Sequence, residues 1–405
     1  MLNKQKLSFT DRAYPWLIVL TPVICQYKLG PLDWDVVVFL AYFFYKILVR
    51  RSLYIVKVNK YIAGLILYIA GVATFNIVAG YKYSPTSDII LRSGRYCLYL
   101  FIVFFLGNES VTYENLMRAY RVVAYAATIY VIIQTAAYYA TGIMLPNKLG
   151  VVSQAVSADE VGRFRSFYSE PSVLAYALTP FIACSLFHPS EQRKGKNSAF
   201  DALFVSFGII LSTSGQGIFS VAIVWVLWLF TKMMSSQIKG RDVLLIIIAA
   251  VAVVILYQTG VLEYALGRVD HTDEGSAIDA RMSGYETLRL LSLWKLAFGT
   301  GFGNYIVENY YGLDVFYETV YYSSLAEFLF TQGIIGTSLW VLFFIKMFRR
   351  VSACGKVLLI AMGALSLSGS PMTGVFFPTW LTLVCLHLPE GEYAIAKTIL
   401  KGENT

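Results

Sequence analysis

Residues 61–80 read YIAGLILYIAGVATFNIVAG, a run of 20 residues without a charged side chain. A helix of this length is about 30 Å long, which matches the hydrocarbon thickness of a bilayer. Similar runs recur along the chain, so that 57% of its residues are hydrophobic and only 14% are charged. A soluble domain carries about 25% charged residues. The sequence therefore predicts an all-α polytopic membrane protein.

The chain contains about twelve such apolar runs, and each is predicted to form a transmembrane helix. They cover residues 14–30, 34–49, 61–80, 88–106, 119–140, 170–188, 200–213, 216–232, 243–259, 323–348, 356–369 and 374–388. Two long connecting segments, about 141–169 and 260–322, lack such a run and are predicted to hold short helices only. We therefore expect a single integral membrane domain that comprises residues 1–405.

Basic residues distinguish the two sides of the predicted membrane domain. If the spans alternate from a cytoplasmic start, the Lys and Arg clusters within 46–60, 193–196, 232–241 and 346–356 all fall on the starting side. Cytoplasmic loops of membrane proteins are enriched in these residues. Both termini are therefore predicted to be cytoplasmic and both long loops periplasmic, in a bacterial inner membrane. The same sorting accounts for the formal net charge of +8, so no nucleic-acid partner is predicted.

The predicted periplasmic side is rich in arginine rather than lysine. It holds seven Arg and four Lys, whereas the cytoplasmic side holds nine Arg and thirteen Lys. The seven arginines are Arg92, Arg95, Arg163, Arg165, Arg268, Arg281 and Arg289. Membrane topology depends only on positive charge, which lysine supplies as well as arginine does. A guanidinium group, however, also binds phosphate or carboxylate through two parallel hydrogen bonds. The arginine excess therefore indicates an anionic ligand on this side.

Residues 163–172 lead directly into the sixth predicted span. Pro171 is predicted in the first helical turn. Backbone N–H groups have no partner within the helix at this position, so the missing N–H of proline is no disadvantage. Glu170 then lies near the positive end of the helix dipole, which favours its charged form. Two interpretations of Arg163 and Arg165 remain open. They form part of an anion-binding segment, or they extend to the lipid headgroups beside an ordinary helix cap.

A second arginine pair lies in the long loop before the tenth span. Residues 277–298 have the pattern of one amphipathic helix, on which Arg281, Tyr285 and Arg289 share a face. This face is predicted to contribute to a binding site. The alternative is a surface helix whose arginines pair with Asp279 and Glu286.

Arg92 and Arg95 are predicted in the first turns of the fourth span. A charged side chain inside a membrane helix is costly and often marks a cavity, but both residues are near enough to the surface to reach water. The five cysteines form no Cys-x-x-Cys pair, and the chain has only three histidines. No metal site is therefore predicted.

Four pieces of sequence, in this order, resemble the O-antigen polymerase and ligase family. They are residues 163–172, which end in Glu-Pro-Ser; the small-residue turn 211–217; Arg281 with the downstream stretch Gly299–Asn304; and residues 322–336, which end in Gly-Ile-Ile-Gly. The resemblance covers roughly residues 160–345. Ligase-like members of the family usually carry a His-Asn pair where this chain has Tyr321-Tyr322. This departure favours a polymerase.

The resemblance implies a metal-independent membrane glycosyltransferase without a cofactor, whose active site faces the periplasm. Its donor and acceptor would both be undecaprenyl-diphosphate-linked oligosaccharides, used in O-antigen or other surface polysaccharide synthesis. Membrane lipids and a chain-length regulator protein would be its other partners. The resemblance implies catalytic roles for Arg165 and Arg281 at the diphosphate and for Glu170 as a base. The candidate substrate-binding residues, from this resemblance and from the charge and helix patterns above, are Arg163, Arg289, Arg92, Arg95, Tyr285, Tyr321 and Tyr322.

Three other kinds of membrane protein have to be considered. A ligase would transfer the glycan to the lipid A core. A lipid-linked oligosaccharide flippase or another secondary transporter is expected to have pseudo-symmetric halves and helices broken by Gly or Pro near mid-membrane. The unequal long loops of this chain argue against such symmetry. A non-catalytic scaffold would not require the arginine excess.

Overall fold

A computed structural model of the chain describes residues 9–45, 48, 59–104, 111–148, 162–187, 198–235, 240, 258, 284–305 and 322–388. These residues are mostly helical. The helices are α1 (Phe9–Ile24), α2 (Trp34–Tyr45), α3 (Asn59–Val78), α4 (Thr86–Phe104), α5 (Tyr113–Thr141), α6 (Pro171–Phe187), α7 (Ser198–Leu211), α8 (Gly215–Met234), α9 (Leu293–Phe298), α10 (Ser324–Phe348), α11 (Ala353–Leu365) and α12 (Phe377–Leu386). A small antiparallel ribbon, β1 (Lys28–Leu29) and β2 (Leu32–Asp33), connects α1 to α2.

Four of these helices are long and apolar enough to cross a membrane, namely α3, α5, α8 and α10. Six shorter apolar helices accompany them, namely α1, α2, α6, α7, α11 and α12. The predicted helical protein with membrane-type helices is therefore confirmed, whereas the number of twelve spans and their direction stay predictions. Eleven of the predicted runs overlap a helix; the run at 243–259, apart from residue 258, lies outside the described residues.

The chain forms two compact units. Unit 1 comprises residues 1–116 and 278–405, and unit 2 comprises residues 117–277. In unit 1, α4 packs against α3 and α12, and α10 packs against α3, α9 and α11. Aromatic rings fill the space between these helices. Tyr96 stacks on Phe302 with ring centroids 4.4 Å apart, and Trp340 stacks on Phe328 at 5.2 Å.

Helix α10 is interrupted at Gly333, whose φ and ψ are 64° and −175°. An interruption leaves backbone carbonyls without helical partners, and such groups are expensive in an apolar environment. The loop that follows α9 supplies the replacements: the N–H groups of Thr300 and Gly301 donate to Phe330 and Thr331 at 3.1 and 2.8 Å. The Tyr68 hydroxyl donates to the Gln332 carbonyl at 2.9 Å. The break is therefore an integral part of the packing of unit 1.

The prediction of one continuous helix over 277–298 is wrong for residues 284–298, the part that the structure describes. A 3₁₀ turn, Thr287–Leu290, is followed by an extended residue, Leu291, before α9 begins. The leucines of this segment pack against Tyr83 and Phe330. Adjacent residues of an α-helix point about 100° apart, so neighbouring leucines reach one cluster only because the helix is interrupted.

In unit 2, α6 is almost entirely buried and packs against α7 and α8. It begins at Pro171, as predicted. The Thr179 hydroxyl donates to the Ser220 hydroxyl at 2.8 Å, which links α6 to α8. The predicted small-residue turn is confirmed: Thr213 has a positive φ of 55°, and the Ser214 side chain caps α8.

Candidate functional site

Unit 1 contains a cavity of about 480 Å³ at one end of its helices. Its lining residues come from the β-ribbon, the start of α2 at Val36, the first turns of α4, Phe302 and Tyr305 after α9, the first turn of α10 at Glu327, and the connection between α11 and α12. Its polar and charged lining residues are Asp33, Asp88, Arg92, Arg95, Tyr96, Tyr99, Tyr305, Glu327 and Thr373. The cavity therefore gathers ionisable groups that are distant in sequence.

Glu327 lies in the first turn of α10 and is partly buried. Its Oε1 atom accepts a hydrogen bond from the Tyr305 hydroxyl, and the Thr373 side chain forms a second hydrogen bond with the carboxyl group. The Arg92 guanidinium lies over the Tyr305 ring, 5.1 Å from its centroid. One acid, one phenol and one cation are thus held together at the cavity wall.

The loop 299–304, which we call the Gly-rich loop, positions Tyr305. Asn304 is fully buried, and its Oδ1 atom accepts hydrogen bonds from the backbone of Tyr83 and Ser84 at 2.7 and 3.2 Å. Its amide nitrogen donates to the carbonyls of Tyr81 and Thr300 at 3.0 and 2.8 Å. This loop therefore has a structural role, since it fixes the residue that contacts Glu327.

Burial and the neighbouring carboxylate raise the pKa of Tyr305 well above its ordinary value of 10.0. The phenol therefore stays protonated at physiological pH and donates to Glu327. Its backbone is fixed as well, because the Ser84 hydroxyl donates to the Tyr305 carbonyl at 3.0 Å.

Arg95 forms an ion-pair network with the β-ribbon and the start of α2. Its Nη1 atom lies 2.6 Å from Oδ2 of Asp33, and its Nη2 atom lies 3.1 Å from Oδ2 of Asp35. Asp35 is fully buried and also accepts from the Tyr99 hydroxyl at 2.8 Å. Arg95 was predicted to bind substrate, but its guanidinium group is engaged by two carboxylates of the fold.

The charged lining of the cavity is negative in balance. Two cations, Arg92 and Arg95, face three anions, Asp33, Asp88 and Glu327, which gives a formal charge of 2 − 3 = −1. Like charges repel over short distances, and more strongly where water is scarce. The cavity is therefore better suited to a neutral polar ligand than to a diphosphate.

The second predicted site, in unit 2, is the segment that leads into α6. Arg165 is only 9% exposed and donates from Nη1 to the Ser169 carbonyl at 3.1 Å. Gln134 fixes the same segment by accepting from the Ser166 N–H at 2.8 Å. Arg163 is partly buried. The segment is therefore a well-packed loop rather than an exposed helix cap.

Glu170 is exposed beside the first turn of α6. Its Oε2 atom accepts from the Ser172 hydroxyl at 3.0 Å. The predicted positions of Pro171 and Glu170 relative to the helix are therefore observed.

The remaining predicted residues differ in their surroundings. Arg289 is exposed on the 3₁₀ turn. The Tyr285 hydroxyl donates to the Leu367 carbonyl and accepts from the Ser323 hydroxyl, both at 3.0 Å, so it connects three segments of unit 1. Tyr322 packs on Tyr305 with ring centroids 5.3 Å apart. Arg281 and Tyr321 lie outside the described residues.

Glu327 was not selected from the sequence, although a signal for it exists. It is the one carboxylate in the 25 residues of α10, a helix apolar enough to cross a membrane. An ionisable residue inside such a helix marks a functional site by default, because its burial must be compensated. Applied to the apolar runs as well as to the loops, this argument would have identified Glu327.

The four pieces of the family resemblance pair up in space. The turn after α7 contacts the segment before α6, where the Thr213 hydroxyl donates to the Gly162 carbonyl at 3.2 Å. The Gly-rich loop contacts α10 at its break, as described above. No protein-family model matches the chain, and no curated protein shows significant similarity to it.

Proposed function

We propose that this chain is a glycosyltransferase of the bacterial inner membrane that polymerises undecaprenyl-diphosphate-linked oligosaccharide repeat units in the periplasm. The product would be O-antigen or a related surface polysaccharide. One observation carries the proposal: a cavity at the ends of apolar helices that combines a carboxylate, Glu327, with tyrosine rings and an arginine. Carboxylates bind sugar hydroxyls, and aromatic rings pack against the apolar faces of sugars.

The position of the cavity supports a periplasmic site. The lining segments follow α1, follow α3, precede α10 and follow α11. In the proposed topology of twelve spans with cytoplasmic termini, each of these positions lies on the periplasmic side. The two long loops, 141–169 and 260–322, lie on the same side in this topology.

The proposed roles of the arginines follow from the chemistry of the leaving group. Departure of a lipid diphosphate develops negative charge, and fixed cations that stabilise this charge supply a large part of catalysis. Arg165 and Arg281 are the proposed diphosphate ligands, with Arg163 and Arg289 as further contacts. No metal ion is needed in this scheme.

A flippase or secondary transporter is the second candidate function. The observation that favours it is the interruption at Gly333 of α10, the helix whose first turn lines the cavity with Glu327. Broken helices of this kind surround the substrate sites of many transporters. A ligase is disfavoured by Tyr321-Tyr322, which replace the His-Asn pair of ligase-like sequences.

A deletion strain distinguishes these functions on a polysaccharide gel. Loss of a polymerase leaves a single repeat unit attached to the lipid A core, because the host ligase still transfers the unpolymerised donor. Loss of a ligase or of a flippase leaves bare core. In the ligase case the lipid-linked chains accumulate in the periplasmic leaflet, and in the flippase case single lipid-linked units remain in the cytoplasmic leaflet. If the deletion strain has bare core and this gene alone restores the attached glycan, the polymerase proposal is refuted.

A further inference from the structure

Glu327 has the surroundings of a reactive group rather than those of a structural ion pair. Among the described residues, its neighbours are two hydroxyl groups, those of Tyr305 and Thr373, and the Arg92 guanidinium. It lines a cavity large enough for a ligand, since small-molecule sites commonly measure about 300–1,000 Å³. By contrast, the nearby Asp35 is fully buried and saturated by Arg95 and Tyr99.

Aromatic side chains line the cavity beside this carboxylate, namely Tyr96, Phe302 and Tyr305. Tyr96 stacks on both Phe302 and Phe377, and Tyr96 and Phe302 are nearly fully buried, so these two rings contribute a rigid apolar wall rather than a free stacking face. A sugar ring requires hydroxyl-binding groups beside such apolar surface. The negative charge balance disfavours the diphosphate end of a lipid-linked glycan. The sugar end therefore fits this cavity, and the diphosphate does not.

We propose that this cavity binds the acceptor sugar and that Glu327 is the catalytic base. This inference rests on the proposed function. The acceptor hydroxyl attacks the anomeric carbon of the donor sugar, and its proton passes to a carboxylate oxygen of Glu327. The new bond joins the acceptor oxygen to this carbon, while the bond from the carbon to the diphosphate oxygen breaks. The lipid diphosphate leaves with the electron pair, and Glu327 then releases the proton to water.

Tyr305 is a positioning residue in this scheme. Its hydrogen bond to Oε1, together with the hydrogen bond from Thr373, fixes the orientation of the carboxylate at the cavity wall. The loop around Asn304 fixes Tyr305 in turn. The exposed Glu170, by contrast, contacts Ser172 beside α6 in unit 2. We therefore assign the base to Glu327 rather than to Glu170.

The first test compares Glu327→Gln with Glu286→Gln, a matched change at an exposed carboxylate outside the cavity. The full-length protein is reconstituted in liposomes with lipid-linked repeat units extracted from the deletion strain. A general base typically contributes about 100- to 10,000-fold to the rate, so Glu327→Gln should lower kcat by at least about 100-fold. KM should change little, and Glu286→Gln should behave as wild type. Wild-type kcat in Glu327→Gln would overturn the assignment.

A second variant covers the case in which Glu327→Gln does not fold. Glu327→Ala leaves space in the cavity for a small carboxylate, and added formate should restore its polymerisation in a concentration-dependent manner. A purely structural role of Glu327 would not respond to formate at fixed protein level. Glu327→Ala that accumulates normally and stays inactive at all formate concentrations would count against a base at this position.

The two proposals fail in different ways. If wild-type protein restores the polymer ladder to the deletion strain and Glu327→Gln restores it equally, only the assignment of Glu327 is wrong. If wild-type protein does not change the number of repeat units, the polymerase proposal is wrong, and the acceptor-site inference fails with it.

Discussion

Gly333 and Gly299 approach each other so closely that neither position has room for a side chain. A β-carbon on Gly333 would lie 2.5 Å from the Gly299 nitrogen, and one on Gly299 would lie 2.4 Å from the Thr331 carbonyl oxygen. Both residues also have positive φ, 64° and 89°. The break in α10 and the loop that compensates for it therefore depend on two glycines in contact.

Gly333→Ala should destabilise unit 1 severely. The backbone of Gly333 lies in a region that only glycine populates readily, which alone costs an alanine about 1–3 kcal/mol, and the overlap adds about as much again. The expected result is a large fall in the melting temperature of the detergent-solubilised protein. Gly71→Ala is the matched control, because no atom lies within 4 Å of a β-carbon there. Equal melting temperatures for the two variants would contradict the packing described.

Asn304→Asp should also be destabilising, although it changes only one atom. The amide nitrogen donates to two carbonyls, of Tyr81 and Thr300, and a carboxylate cannot replace these donors. Thr300 is fully buried, and a buried carbonyl left without a partner costs about 1–3 kcal/mol, whereas water can reach the carbonyl of the exposed Tyr81. We expect a loss of about 1–3 kcal/mol, measured by thermal unfolding. Asn115→Asp, at a partly exposed position in the first turn of α5, serves as control and should change stability little.

The helices of this chain were predictable from local sequence, but the site was not. Each long apolar run predicts a helix, and the start of α6 at Pro171 follows from local chemistry. Arg92 and Arg95, in contrast, lie one turn apart on α4 and look equivalent in sequence. Only the fold brings Asp35, 60 residues away, to Arg95 and leaves Arg92 beside Tyr305.

The break in α10 illustrates the same limit. Glycine within an apolar run does not by itself predict an interruption, because the broken hydrogen bonds must be replaced by a distant segment. Here that segment is the loop at Thr300 and Gly301, more than 25 residues before Gly333 in the chain. Likewise, the positions of the leucines after Thr287 are determined by their packing against Tyr83 and Phe330 and not by helical periodicity.

The two aspartates that pair with Arg95 should contribute unequally to stability. Asp35 is fully buried, whereas the Asp33 side chain is 21% exposed. Removal of one partner of a buried ion pair costs about 3–5 kcal/mol, and loss of a partner near the surface costs about 0–1 kcal/mol. Asp35→Ala should therefore lower the melting temperature much more than Asp33→Ala.

Reporter fusions test the proposed topology. Fusions after Lys196 and Lys239 should report a cytoplasmic location, because the basic clusters that contain these residues follow the positive-inside rule. Fusions near Gly150 and Asp273 should report the periplasm. A cytoplasmic signal at either long loop would reverse the assignment and place the cavity of unit 1 on the wrong side for lipid-linked repeat units.

Arginine should not be replaceable by lysine at the proposed diphosphate ligands. Arg165→Lys retains the charge and a donor for the Ser169 carbonyl, to which Arg165 donates now, but it loses the planar fork that binds two phosphate oxygens. A charge-assisted hydrogen bond is worth about 1.5–3 kcal/mol, so affinity for the lipid-linked donor should fall by about tenfold or more. We expect the same for Arg281→Lys. The measurement is KM for extracted lipid-linked repeat units in proteoliposomes, at matched protein levels, with the exposed Arg118→Lys as control. An unchanged KM in both variants would show that neither arginine binds the diphosphate through two hydrogen bonds.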